Sequence, residues 1–104
     1  PERVRAFQRD VRMIERLEKM GLLLQCNSWC LMDRPGLPTR DISERLLKEG
    51  RYFCLGTDTH NAASLPVRLQ GIEQAVEMVG EQAVRQLTVE NPAKLFPPDM
   101  LNAR

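Results

Sequence analysis

"RLLKEGRYFCLGTDTH", residues 45–60, packs a helix end, a glycine, an apolar strand and a polar exit into one short run. Leu46 and Leu47 finish a helical stripe, and Gly50 stands where a left-handed residue ends a helix. Tyr52-Phe53-Cys54-Leu55-Gly56 follows at once, aromatic and apolar, and is predicted as a strand. Asp58 and His60 emerge at its carboxyl end, and His60 is the only histidine of the chain.

The same pattern occurs earlier. "RLEKMG" at 16–21 closes on glycine as "RLLKEG" does at 45–50, and each runs directly into an apolar segment. Leu22-Leu23-Leu24-Gln25-Cys26-Asn27 is too short for another helix and is predicted as a buried parallel strand. The repeating unit is helix, glycine, parallel strand, loop. Convergence on a common helix end explains the echo equally well and leaves the local structure unchanged. Two such units in sequence imply an α/β fold with parallel strands joined by right-handed crossovers.

Around this frame, Phe7, Val11, Ile14 and Leu17 lie at helical spacing and predict one amphipathic helix from Phe7 to Met20. Residues 28–40, with Pro35, Gly36 and Pro38 and no usable period, are predicted as a loop. Asp41 then opens a helix to Gly50, with Glu44 completing a capping box. Leu69, Ile72, Val76 and Val79 mark a helix ending at Gly80, and "EQAVRQL" makes a short one. Asn91-Pro92 caps and starts a last helix, ended by Pro97-Pro98, with 98–104 a frayed tail. The expectation is two parallel strands and four to five helices. A two-stranded parallel sheet has two open edges, so further strands are expected from elsewhere. Pro1-Glu2-Arg3-Val4 shows no feature of a leader and reads as a chain cut from something longer, with 1–104 forming part of one domain.

At 104 residues the chain is one small domain at most, well short of the ~200 residues of a complete βα barrel. Fifteen basic residues are interspersed with 14 acidic ones, which gives a nucleic-acid or membrane-surface role little support. No apolar run approaches the ~20 residues of a bilayer span, so a cytoplasmic protein without membrane or nucleic-acid partners is expected. Cys26, Cys30 and Cys54 are odd in number and fit reduced, buried thiols. Their spacing is not that of a zinc knuckle, and none precedes a glycine-rich anion loop ending in arginine.

Side chains two apart on an extended segment point the same way, roughly 6 to 7 Å apart. Asp58 and His60 at such spacing can ligate one metal ion or two neighbouring ones. The same triplet also fits a plain structural reading in which Asp58 caps the turn and His60 bonds the backbone, and two ligands do not complete a metal site. Arg3 and Arg68 taken singly are ordinary surface arginines, and Trp29 either walls a pocket or covers the rim of the fold.

"PERV" (1–4), "GLLLQCNS" (21–28), "GTDTHN" (56–61) and "ENPAKLF" (90–96), taken together and in this order, resemble the carboxyl-terminal half of a PHP-domain phosphohydrolase. Within that superfamily they are most similar to the bacterial manganese-dependent protein-tyrosine phosphatases of capsule and exopolysaccharide loci. The resemblance implies the carboxyl-terminal portion of a distorted seven-stranded βα barrel with three metal ions at the carboxyl ends of its strands. Asp58 and His60 match the last ligand pair. Glu2 and Arg3 match an "HPER" motif whose metal-binding histidine precedes the proline, which makes Arg3 the phosphate-facing residue. Where the family carries an arginine just ahead of a proline, this chain has Leu65 before Pro66, with Arg68 the nearest substitute.

The implied activity is metal-dependent phosphomonoester hydrolysis, with hydroxide attacking phosphorus directly. Manganese is the implied metal, with iron or zinc as alternatives, and the implied substrate is a phosphotyrosine protein such as a bacterial tyrosine kinase. Because the earlier ligands would lie upstream, this piece alone is expected to be inactive unless an oligomer or further residues complete the site. Two other readings stand beside it. One is a catalytically silent fragment or assembly module that completes a barrel with another chain. The other is a PHP phosphatase for a small molecule such as histidinol phosphate.

Overall fold

The computed structural model describes residues 1–96. Its centre is a parallel pair, β1 (Gln25–Asn27) and β2 (Cys54–Gly56), with Gln25 opposite Cys54, Cys26 opposite Leu55 and Asn27 opposite Gly56. Both strands are shorter than their apolar runs suggest. Leu22 and Leu23 remain 51% and 60% exposed, so the first half of the predicted strand leads into the sheet without joining it. Leu24 marks the change, because its carbonyl accepts the Phe53 N–H at 2.8 Å and its side chain is buried.

The single helix predicted over 7–20 is two, α1 (Arg5–Arg9) and α2 (Arg12–Lys19). Asp10 between them takes an extended conformation, and its carboxylate accepts both the Arg12 backbone N–H at 3.1 Å and Arg12 Nε at 2.9 Å. A short acidic side chain that captures a nearby N–H competes with helix propagation, and here the helix stops at Arg9 and restarts at Arg12. Ile14 still reaches the core, as the apolar stripe requires.

The predicted loop over 28–40 is structured at both ends. Asn27 accepts the Trp29 N–H at 3.1 Å and caps a 3₁₀ turn, Ser28–Met32, that buries Ser28, Cys30 and Leu31. Helix α3 (Pro38–Lys48) then starts three residues ahead of the predicted Asp41, because Pro38 fits the first turn, where a missing N–H costs nothing. Asp41 accepts the Gly36 N–H at 3.0 Å instead of capping, and Glu44 pairs with Lys48 at 2.8 Å and Arg40 at 3.5 Å, so the capping box does not form.

Helix α4 (Leu65–Val79) ends at Gly80 as predicted, with a φ of 91° there. The predicted helices at 81–87 and from Asn91 merge into one run, in which α5 (Glu81–Arg85), a π turn (Gln86–Glu90) and α6 (Asn91–Ala93) follow without a break. Asn91 is therefore helical and no cap; it is buried, and its Nδ2 donates to the Phe53 carbonyl at 2.8 Å, tying this run to the entry of β2. The described residues thus hold about five helical runs and two parallel strands. The predicted stop at Pro97-Pro98 and the tail at 98–104 lie outside them.

Ile14, Leu24, Cys26, Leu31, Leu46, Leu55 and Ala75 bring α2, both strands, the 3₁₀ turn, α3 and α4 into one core. Helix α4 lies across the 3₁₀ turn at Gly71, where an added Cβ would stand 2.0 Å from the Ser28 carbonyl oxygen. That approach sets how close α4 sits to the carboxyl end of β1. The three cysteines are free. No helix among the described residues is long and apolar enough to cross a membrane.

Candidate functional site

In open parallel sheets the carboxyl ends of the strands gather ligand-binding loops. Here those ends are Asn27 and Gly56. Asn27 uses both ends of its amide: its oxygen caps the 3₁₀ turn, and its Nδ2 donates to Asp58 Oδ2 at 3.5 Å. The two strand exits are thereby linked through one side chain.

The two-residue spacing predicts an extended 58–60, and the structure departs from it. β2 ends at Gly56, and Asp58 has φ 51°, the one non-glycine residue with positive φ among those described. Asp tolerates this region better than most residues, yet a site that holds it there works against an intrinsic preference of roughly 1 kcal/mol or more. The imidazole of His60 then folds back, with Nδ1 2.7 Å from the Asp58 carbonyl oxygen. A carbonyl can only accept, so Nδ1 carries the proton and Nε2 of the neutral ring keeps its lone pair. That backbone bond is the usual means by which a ligating imidazole is fixed in tautomer and orientation. Asp58 and His60 are both exposed.

Arg3 reaches the same place from the start of the chain. It is exposed, and with Glu2, Val4, Gln25, Asn27 and Asp58 it lines a cleft of about 280 Å³ at the strand ends. Beneath it Glu2 is buried, with Oε1 accepting the Asn27 backbone N–H at 2.7 Å and Oε2 accepting the Tyr52 hydroxyl at 3.0 Å. Burial first, and then the nearby Cys26 and Glu2, push the Tyr52 phenol far up, so it stays a donor to the carboxylate. Burial also drives the thiols up, Cys26 strongly and Cys30 to about 11; the Glu2 carboxylate adds to both shifts, and the Arg3 guanidinium opposes the second. These thiols are neutral packing groups near neutral pH.

Arg68 is placed differently from a surface arginine. It is buried, its Nη1 donates to the Thr57 carbonyl at 2.6 Å, its Nε donates to Ser64 Oγ at 3.1 Å, and its guanidinium carbon lies 4.4 Å from the centre of the Trp29 ring. Of the four site residues picked from sequence, Arg3 and Asp58 share the cleft, His60 is joined to Asp58 through the backbone, and Arg68 braces the loop from outside the cleft lining. Sequence reasoning passed over Asn27 and Tyr52. Asn27 does carry a signal, an amide at the last position of an apolar strand, whereas Tyr52 has the pattern of any strand aromatic.

No group of three or more His, Cys, Asp or Glu side chains among the described residues is arranged to hold a metal ion. A larger cleft, about 600 Å³, opens at the other end of β2, and its lining, which includes Leu47, Tyr52 and Asn91, contains no carboxylate, imidazole or guanidinium. The polar chemistry lies at the smaller cleft.

Fold and site together define an α/β protein whose carboxylate, imidazole and guanidinium groups gather at the exits of two parallel strands. The family model for capsular polysaccharide synthesis, CpsB/CapC, matches residues 1–97, and the chain belongs to that family. No curated protein and no solved structure matches it.

Proposed function

We propose that the strand-exit site is part of the active centre of a metal-dependent phosphomonoester hydrolase that acts on phosphotyrosine proteins, such as a bacterial tyrosine kinase, in the control of capsule or exopolysaccharide synthesis. The observation that carries this reading is the geometry of His60, whose Nδ1 is bonded to the Asp58 backbone carbonyl at 2.7 Å, which leaves Nε2 free on an exposed ring two residues from an exposed carboxylate. Membership of the capsular polysaccharide synthesis family supports the cellular role. A cytoplasmic site of action goes with such a substrate.

In this reading Asp58 and His60 hold a divalent transition ion; a carboxylate with an imidazole suits manganese, iron or zinc better than magnesium or calcium. When bound, such an ion supplies Lewis acidity toward a phosphoryl oxygen and lowers the pKa of water. The rest is the work of the chain. Asn27 steadies the Asp58 carboxylate. Arg3, anchored by its neighbour Glu2, offers a forked pair of donors to the remaining phosphoryl oxygens, a match that lysine does not provide. Two protein ligands fall short of a complete coordination sphere, so the others come from outside the described residues, from the same protein or a second copy. The alternative is a catalytically silent assembly module, favoured by the lack of a third ligand among the described residues.

The test is phosphate release from a phosphotyrosine peptide by the protein expressed from its own gene, in manganese buffer. Asp58→Ala is expected to lower kcat by roughly a hundredfold or more, the scale of losing a group that stabilises transition-state charge. Turnover that survives Asp58→Ala unchanged, or no turnover by the unaltered protein, overturns the proposal in favour of the silent module.

A further inference from the structure

Arginine is among the residues least often buried without a partner, and Arg68 is only 6% exposed. Both of its hydrogen bonds go to one loop. Nη1 holds the carbonyl of Thr57, at the point where the chain leaves β2, and Nε holds the hydroxyl of Ser64, at the point where it enters α4. Between those two points lie Asp58 and His60. Ser64 is itself set by Asn61, whose side chain accepts its N–H at 2.9 Å and whose carbonyl accepts its hydroxyl at 3.2 Å. The guanidinium carbon lies over the ring of Trp29, 4.4 Å from its centre, in the 3₁₀ turn that Asn27 caps at the end of β1. One side chain thus ties the exit of β2, the entry to α4 and the exit of β1 together.

We infer that Arg68 is a positioning residue that holds the 57–64 loop, and so Asp58 and His60, in place on a platform formed by Trp29. Two of its three nitrogens are already committed to the loop, which makes a brace a better account of it than a phosphate contact. The positive φ of Asp58 adds to the argument, since a strained residue persists only where its surroundings over-determine it. A lysine cannot replace this arrangement. Its ammonium lacks the flat fork that donates to two separated acceptors while stacking on an indole. The inference rests on the proposed function only for what the loop is used for; that Arg68 fixes the loop stands on these contacts alone.

Hydrogen exchange followed by mass spectrometry tests it, on the unaltered protein, Arg68→Met, Arg68→Lys and Trp29→Leu. Arg68→Met keeps an apolar stem and removes the fork. Its exchange over 57–64 is expected to rise roughly tenfold, with Arg68→Lys and Trp29→Leu between it and the unaltered protein, while segments 25–27 and 38–48 change less than about twofold. The emission of Trp29, the only tryptophan, is expected to shift in Arg68→Met and much less in Arg68→Lys. Loop exchange unchanged in all three variants overturns the inference, and so does a rise spread evenly over the chain, which marks a general loss of stability. If Arg68→Met fails to fold, the same comparison in Arg68→Lys and Trp29→Leu decides. A loop that loosens in a protein lacking phosphatase activity upholds the brace and removes the proposed function. An active protein whose loop does not respond does the reverse.

Discussion

Replacing Gly71 by alanine adds a single methyl group to α4, and the structure says where that group goes. It would stand 2.0 Å from the Ser28 carbonyl oxygen, 2.6 Å from the carbonyl carbon and 3.0 Å from Ser28 Cβ. Two of these three atoms are backbone, in a buried turn capped by Asn27, so no rotamer change removes the clash. A carbon and a carbonyl oxygen approach to about 3.3 Å at closest, so α4 or the turn must move by roughly 1 Å or more. Overpacking of this kind costs ~1–3 kcal/mol, with a rigid backbone partner placing it at the upper end. Removing a glycine from a helix interior returns up to ~1 kcal/mol. The net loss is about 2 kcal/mol, and for a domain of this size it lowers Tm by roughly 8 to 15 °C. Circular dichroism melts of Gly71→Ala beside Gln70→Ala, an exposed neighbour on the same helix, measure the difference directly. A Gly71→Ala protein that melts within about 2 °C of the unaltered one, or above it, refutes the close approach of α4 to the 3₁₀ turn and the placement of Arg68 three residues away.

Tyr52→Phe removes the hydroxyl that donates to the buried Glu2 carboxylate and is expected to cost about 1.5–3 kcal/mol, read as a lower urea midpoint at unchanged slope; an unchanged midpoint means that Glu2 is satisfied without it. Stability is expected to fall as pH rises from about 9 toward 11. Over that range the Cys30 thiol, ordinarily titrating at 9.0, ionises in the unfolded chain but holds its proton up to about 11 in the fold, so the unfolded chain binds fewer protons and gains; Cys26 and Tyr52, shifted the same way, act in the same direction. Urea midpoints at pH 8 and pH 10.5 check the sign, and a midpoint that rises contradicts it. A thiol reagent at pH 8 is expected to modify the half-buried Cys54 before the fully buried Cys26 and Cys30.

The parallel pair and its flanking helices were legible because Gly21, Gly50 and Gly80 end helices ahead of apolar or newly helical segments, and all three have positive φ. What escaped was decided by single polar side chains acting at short range. Asp10 splits a helix whose apolar stripe runs straight through it, Asp41 closes a loop where the pattern suggested a cap, and Asn91 bonds the Phe53 carbonyl just ahead of β2 from inside a helix where the Asn-Pro pair suggested a start. Periodicity averages over such choices. At the site, Asp58 and His60 stood out by residue type and spacing and Arg3 only through the family resemblance, whereas the burial of Arg68 had no sequence signal. Its partners Thr57, Ser64 and Trp29 are individually unremarkable, and only the folded chain brings a guanidinium between them.

The 3₁₀ turn at Ser28–Met32 shows how packing and site are joined. It has no sequence period, yet it buries Leu31 in the core, receives α4 at Gly71 and presents Trp29 to Arg68. A change in the core beneath it is therefore expected to move the site as well as the stability.

Whether Asp58 and His60 ligate a metal ion is decided by metal content. The protein expressed from its own gene, unaltered and as Asp58→Ala and His60→Ala, is loaded with manganese, exchanged exhaustively into metal-free buffer and assayed by plasma mass spectrometry. The account predicts manganese retained by the unaltered protein and a clear loss in both variants, with circular dichroism showing all three folded. Equal manganese in the three proteins, or none in any, contradicts it.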